Sequence, residues 1–366
     1  MFEKEIVCFK CGKRYDANRI IFECENCGYS LDIKYDYSKI KKAFKEQEEF
    51  FFQAQKRHWK YWMFYPIKNL ENIVSMQEGN TPLIKSSKYN YWYKYEGVNP
   101  TGVFKDRGST VEITKAKELG IKKIVCASTG NMGASLAAYA SKANIKAEIF
   151  VPGFATKAKL RQMKWYGAKI KVVRGSYEKA LELTKKLHKK TGVYLTGDYP
   201  FRLEGQKSVG FEILERMPKC KNIVVPVGNG TLCYAVFKAA KEFKEIGIIR
   251  KIPKIIGIQA KGCDPIVRAF ENGWKEVSPL KKTKTIASAI NCGNPVDGME
   301  ALYAIRNSRG VAERVTDKEI INAKKGLAKE GVYAEYSAAA ALAGAKKLEL
   351  DEAVLIITGH GLKDDK

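Results

Sequence analysis

The chain has 366 residues, too many for one ordinary domain and enough for two α/β domains with a small extra module. Apolar residues make up 45%, so real cores can form, yet no stretch approaches the roughly 18 to 20 consecutive apolar residues of a membrane helix, and the start MFEKEIVCFKC lacks a signal-peptide core; a soluble, cytoplasmic protein is expected. Sixty-five Lys and Arg against 40 Asp and Glu leave +25, which asks for an anionic partner or substrate, but the lysines are mixed with glutamates along helical stretches and no aromatic-basic motif accompanies them, which argues against a dedicated nucleic-acid surface.

In chain order, the first signal is Cys8-Phe-Lys-Cys11 followed, after twelve intervening residues, by Cys24-Glu-Asn-Cys27. Two C-x2-C knuckles at this spacing let four thiolates surround one tetrahedral Zn²⁺, and Gly12 and Gly28 supply the tight turns that such short spacers force. Residues 1–35 therefore read as a zinc-ribbon-like module with Cys8, Cys11, Cys24 and Cys27 as metal ligands. Disulfides are disfavoured in a cytosolic chain. The other cysteines, Cys126, Cys220, Cys233, Cys263 and Cys292, are scattered through apolar or glycine-rich surroundings and read as neutral, buried thiols.

Residues 39–56 carry both charge signs and look helical; the aromatic run at 58–65 suits a core or an interface. From about residue 91 short apolar runs (YNYWYKY, KKIVCAS, KAEIFVP, AKIKVVRG, KNIVVPVG, PKIIGIQA, AVLIITG) alternate with longer helical stretches, the rhythm of parallel βαβ units and of the α/β class. Glycine-rich turns follow several runs, at Ser128–Gly133, Gly228–Leu232 and Thr358–Gly361, and in open parallel sheets ligands bind beyond such strand ends. The turn-rich segment Glu96-Gly-Val-Asn-Pro-Thr-Gly-Val-Phe-Lys105-Asp-Arg-Gly108 leads from a strand into a helix, which sets Lys105 against the positive end of the helix dipole. Spacing alone leaves an ordinary surface lysine beside Asp106 as the simpler reading.

The segment resembles the pyridoxal-phosphate (PLP) lysine motif of the threonine synthases, NPTGSFKDRG. Glu78-Gly-Asn-Thr-Pro-Leu83, Cys126-Ala-Ser-Thr-Gly-Asn131, Arg202-Leu-Glu-Gly-Gln-Lys207 and Thr358-Gly-His-Gly-Leu-Lys-Asp364 are similar, in the same order, to that family's EGNTPL, asparagine-loop, RLEGQK and TGHGLKD segments. The resemblance implies PLP fold type II: two parallel-sheet α/β domains behind the zinc-ribbon-like module, with a large cofactor domain of 36–95 and 210–366, a small domain of 96–209, an active site between them and a homodimer. It also implies that Lys105 carries the cofactor as a Schiff base and shuttles protons. Asn131, the loop Gly228-Asn229-Gly230-Thr231-Leu232 and Thr358 would bind the cofactor, while Ser128, Thr129, Arg202 and Asn229 would bind a small phosphorylated amino acid, O-phospho-L-homoserine. Thr358, a hydroxyl at the pyridine nitrogen, would make the ring a modest electron sink suited to elimination and replacement at Cβ or Cγ.

Three departures leave sister activities open: Leu232 stands where the family's GNAGN loop ends in asparagine, Thr196-Gly197 where relatives carry asparagine and serine, and Val103 where serine is usual. The alternatives are a cysteate synthase-like replacement on O-phosphoserine, a threonine or serine dehydratase and, in a different class, a non-catalytic zinc-ribbon protein that binds nucleic acid.

Overall fold

The computed structural model describes residues 2–46, 54–128, 130–153, 157–175 and 177–364. These fall into two compact units, one from residues 1–78, 99–205 and 363–366, the other from 79–98 and 206–362, so that the division lies inside helix Pro200–Arg216.

The first unit opens with a small antiparallel sheet in which Glu3–Cys8 lies between Arg14–Asp16 and Leu31–Tyr35. Alternation sends Ile6, Cys8, Tyr15, Leu31, Ile33 and Tyr35 inward. Helix Tyr37–Glu46 follows and buries Ile40 and Phe44, one turn apart. The helix expected at 39–56 thus holds to Glu46; residues 47–53 of that expectation lie outside the described residues. Ala54–Phe64 then forms tight turns interrupted at Arg57, and the aromatic run is core, with Trp59, Tyr61, Phe64 and Tyr65 buried.

The rest of this unit is a parallel four-stranded sheet ordered Lys169–Val173, Lys146–Pro152, Lys123–Ala127, Tyr194–Leu195. Its strands are joined by helices Asn131–Lys142, Lys157–Trp165 and Tyr177–Thr191. Helix Asn131–Lys142 is rich in alanine and buries Ala134, Leu136, Ala137 and Tyr139 with Ile124, Ile149 and Val151 of the sheet.

The second unit holds a six-stranded sheet ordered Ala312–Val315, Lys254–Ala260, Asn222–Pro226, Ala353–Ile357, Tyr91–Tyr95, Leu83–Lys85. All neighbours are parallel except the last pair. Each apolar run read as a strand is one. Helix Tyr336–Lys347 lies flat on this sheet because its inner face is alanine and glycine; a β-carbon on Gly344 would stand 2.2 Å from Ile258 Cδ1. Among the described residues no helix is long and apolar enough to cross a membrane.

Candidate active site

Lys105 is the first residue of helix Lys105–Glu118, reached through a turn in which the Gly102 N–H donates to the Asn99 carbonyl at 2.7 Å and Gly102 takes a φ of +82°. The helix start has no side-chain cap. Asp106 instead turns inward and accepts from the Thr101 N–H at 2.7 Å, the Thr101 hydroxyl at 2.6 Å and the Ser135 hydroxyl at 2.6 Å. Burial pushes the Asp106 carboxyl up to about 6, opposed by those hydrogen bonds. The residue after Lys105 is thereby pinned, while the Lys105 side chain stays half-buried with Nζ 4.9 Å from the centre of the Phe104 ring.

Arg202 meets the same helix. Its Nη1 donates to Ser109 Oγ at 2.9 Å and its Nη2 to the carbonyl oxygen of Lys105 at 3.0 Å. The guanidinium is wholly buried and stands 3.6 Å from the Glu112 carboxylate and 3.9 Å from that of Asp198, with Nε lacking an acceptor. Burial pushes Glu112 up to about 8, against the opposing charge of Arg202 and a hydrogen bond from the Gly197 N–H. Two glycines permit the approach: a β-carbon on Gly108 would lie 2.7 Å from Arg202 Cγ, and one on Gly205 would lie 2.1 Å from the Arg107 carbonyl oxygen. The K-D-R-G and R-L-E-G stretches are therefore the two faces of one close crossing.

Ser128, past strand Lys123–Ala127, accepts from the N–H groups of Gly130 at 3.1 Å and Gly133 at 2.9 Å and so caps helix Asn131–Lys142. With its oxygen occupied as an acceptor, the hydroxyl has a proton left to offer. Asn131 is buried at the helix's first position. Thr129 lies outside the described residues.

In the second unit, Gly228–Leu232 joins strand Asn222–Pro226 to helix Thr231–Ile246. Asn229 Oδ1 accepts from the Val296 N–H at 2.8 Å and the Cys292 thiol at 3.3 Å, and the Thr231 hydroxyl donates to Asp297. Gly230 has a φ of +100° and no room for a β-carbon, which would lie 2.2 Å from the Asp297 carbonyl oxygen. The side-chain oxygens of Asn229 and Thr231 thus fasten the loop to the 292–297 segment. The helix start, capped by no side chain, offers backbone N–H groups, the donors that hold a phosphate. Leu232 is core. Thr358 is buried just beyond strand Ala353–Ile357, and the turn after it is fixed by Glu335 N–H to Gly359 O at 3.0 Å and Gly361 N–H to Tyr333 O at 2.9 Å.

Cys8, Cys11, Cys24 and Cys27 place their sulfurs within 4.8 Å of one another, with Cys8–Cys27 at 3.5 Å and Cys11–Cys24 at 3.6 Å. Bonds of about 2.3 Å to a tetrahedral zinc require sulfurs about 3.8 Å apart, so the donor set fits the ion. Gly12 and Gly28, at φ +74° and +67°, close the two knuckles by donating to Cys8 O and Cys24 O. Burial pushes the thiols of Cys126, Cys220 and Cys233 up to about 12 and that of Cys263 to about 11, which makes them neutral packing groups.

Sequence reasoning missed Asp106, Ser109, Glu112 and Ser135, which surround Lys105 and Arg202, and Glu78, whose buried carboxylate accepts from Trp59, Ser75, Met76 and Tyr139. Asp106 adjoins the motif lysine, and Ser109 and Glu112 lie one and two helical turns on; that spacing was the available signal. Ser135 left none.

Residues 74–359 match the family described as pyridoxal-phosphate dependent enzyme. A threonine synthase of Methanocaldococcus jannaschii is 45% identical, covering 98% of this chain and 92% of its own length. One of Methanosarcina acetivorans is 42% identical over 98% of this chain and 91% of its own. The solved structure of maize serine racemase is similar in fold, with a TM-score of 0.67 at 26% identity over 77% of this chain and 88% of that one. With the family match spanning both larger sheets and a relative 45% identical across 98% of the chain, the chain belongs to the pyridoxal-phosphate-dependent enzymes and, among them, to the threonine synthase family.

Proposed function

We infer that this chain is a threonine synthase, which converts O-phospho-L-homoserine and water to L-threonine and phosphate. The observation that carries the reading is the 45% identity to a threonine synthase across 98% of the chain, with Lys105 standing at an uncapped helix start beside a pinned Asp106. When bound, pyridoxal phosphate supplies a conjugated electron sink for the carbons of an attached amino acid.

The residues present suit that group. The capless start of helix Thr231–Ile246 would hold its phosphate with backbone N–H groups, Lys105 would supply the amine for its aldehyde, and Asn131 and Thr358 would take the ring's polar edges. Thr358 brings a hydroxyl rather than a carboxylate to that edge and so does not enforce a protonated ring nitrogen. Lys105 Nζ would be the group to carry protons between the substrate's carbons. Ser128 would donate a hydrogen bond to the departing phosphate, and the buried charge of Arg202, with Nε as its unused donor, would lower the cost of the growing negative charge. The Asn229 oxygen is held by Val296 and Cys292, which fixes the side chain in the loop where a substrate would meet it. The surplus of +25 favours the approach of a dianionic substrate.

The four amino-terminal cysteines bind one structural zinc ion, as their spacing and sulfur distances support. A homodimer is proposed from the family resemblance. Purified protein given O-phosphohomoserine, O-phosphoserine with sulfite, and threonine in parallel tests the activity. Phosphate and threonine from the first substrate are expected; cysteate from the second or keto acid from the third would replace the reading with a sister activity.

A further inference from the structure

Between Arg202 and Asp106 runs a line of buried polar atoms that none of the substrate or cofactor roles above explains. Arg202 Nη1 lies 2.9 Å from Ser109 Oγ, Ser109 Oγ 2.7 Å from Ser135 Oγ, and Ser135 Oγ 2.6 Å from Asp106 Oδ1. The side chains of Asp106, Ser109, Ser135 and Arg202 are all buried to completion. Ser135 is the donor toward both the Asp106 carboxylate and Ser109 Oγ, its one proton serving two acceptors, and Ser109 also accepts from the guanidinium. The line joins a cation at one end to an anion at the other, and the bond at each end is charge-assisted.

Both ends of the chain hold Lys105. Arg202 Nη2 donates to the Lys105 carbonyl oxygen at 3.0 Å, and Asp106 is the residue that follows Lys105, held on its other side by Thr101. The geometry points to Ser135 and Ser109 as positioning residues for the cofactor lysine: a two-hydroxyl relay that ties Arg202 to Asp106 and sets the backbone, and so the reach of Nζ, at position 105. Packing alone would be served as well by alanine at both sites. The relay spans three segments, helix Lys105–Glu118, helix Asn131–Lys142 and the start of helix Pro200–Arg216. This rests on Lys105 carrying the cofactor.

The test compares full-length wild type, S135A, S109A and the double variant by the visible band of the bound cofactor, the dissociation constant for pyridoxal phosphate, kcat and KM, and melting temperature. Each single change removes the two hydrogen bonds that its hydroxyl makes in the line and is expected to shift the band's pH midpoint and weaken cofactor binding by on the order of tenfold. It should lower kcat similarly and leave KM within about twofold. Because either loss opens the same relay, the double variant should be no worse than the poorer single one. T101V, nearly isosteric and at the Asp106 end, should act in the same direction and serves if a serine variant fails to fold. Unchanged band, affinity and kcat, with at most a lower melting temperature, would overturn the inference, as would effects that multiply in the double variant. A wild-type protein with no visible band would sink the assignment of Lys105 itself, a different result from a wild-type band that S135A leaves untouched.

Discussion

The carbonyl oxygen of Arg107 occupies the place that a β-carbon on Gly205 would need, 2.1 Å away. The obstacle is backbone and cannot rotate aside, so an added methyl must push helix Lys105–Glu118 from the start of helix Pro200–Arg216. G205A should cost about 1 to 3 kcal/mol, the usual range for overpacking, and weaken cofactor binding through the displaced Lys105. Urea unfolding with a wild-type midpoint would show that the two helices can separate freely.

Glu112 should make stability fall as pH rises. Burial raises its folded-state value from 4.5 to about 8, so the folded protein holds this proton more tightly than the unfolded chain does. The contribution is fully present below about 4.5 and is lost as pH climbs through about 8, at about 1.4 kcal/mol per unit of difference. E112Q keeps an acceptor for the Gly197 N–H and removes the titration, so its melting temperature should change less than that of wild type between pH 5 and pH 8. Equal slopes for the two proteins would rule Glu112 out as the source.

Metal content and folding of the amino terminus should be linked. Purified protein is expected to carry one zinc ion per chain, and C24S or a chelator should release it and open residues 8–27 to protease, because four thiolates without a cation have no reason to converge. Metal-free protein with a protease-resistant amino terminus would contradict the ribbon reading.

Gly230 combines a left-handed backbone with a 2.2 Å approach to the Asp297 carbonyl. G230A should therefore distort the start of helix Thr231–Ile246 and lower the affinity for pyridoxal phosphate by at least about tenfold, the worth of one or two charge-assisted hydrogen bonds. Equilibrium titration of the stripped protein with the cofactor measures this, and a wild-type dissociation constant would remove the loop from the phosphate site.

Much of the framework was legible in the residues. Runs such as KIVCA and AVLII are buried on both faces in parallel sheets, which makes them continuous rather than alternating. Strands Leu83–Lys85, Tyr194–Leu195 and Ala312–Val315 escaped notice because they are short, and all three sit at sheet edges where polar residues are tolerated. The cysteine knuckles were readable because metal ligation dictates their spacing.

Lys105 and its neighbours were legible only through the motif. A lysine at a helix start has no distinctive pattern, and the groups that position it come from distant stretches: Ser135 is 30 residues away and Arg202 is 97 away from it. Such partners are chosen by packing between segments, which leaves no local periodicity. The motif also hid the division of labour inside it, since the glycines at 108 and 205 serve close approach while Asp106 serves anchoring.

The identity of the cofactor lysine is open to one direct measurement. Holoprotein reduced with borohydride, digested and mapped by mass spectrometry should carry the pyridoxyl group on the peptide containing Lys105 and on no other. A label on a different lysine, or a protein that takes up no label while folded, would contradict the assignment on which the proposed activity depends.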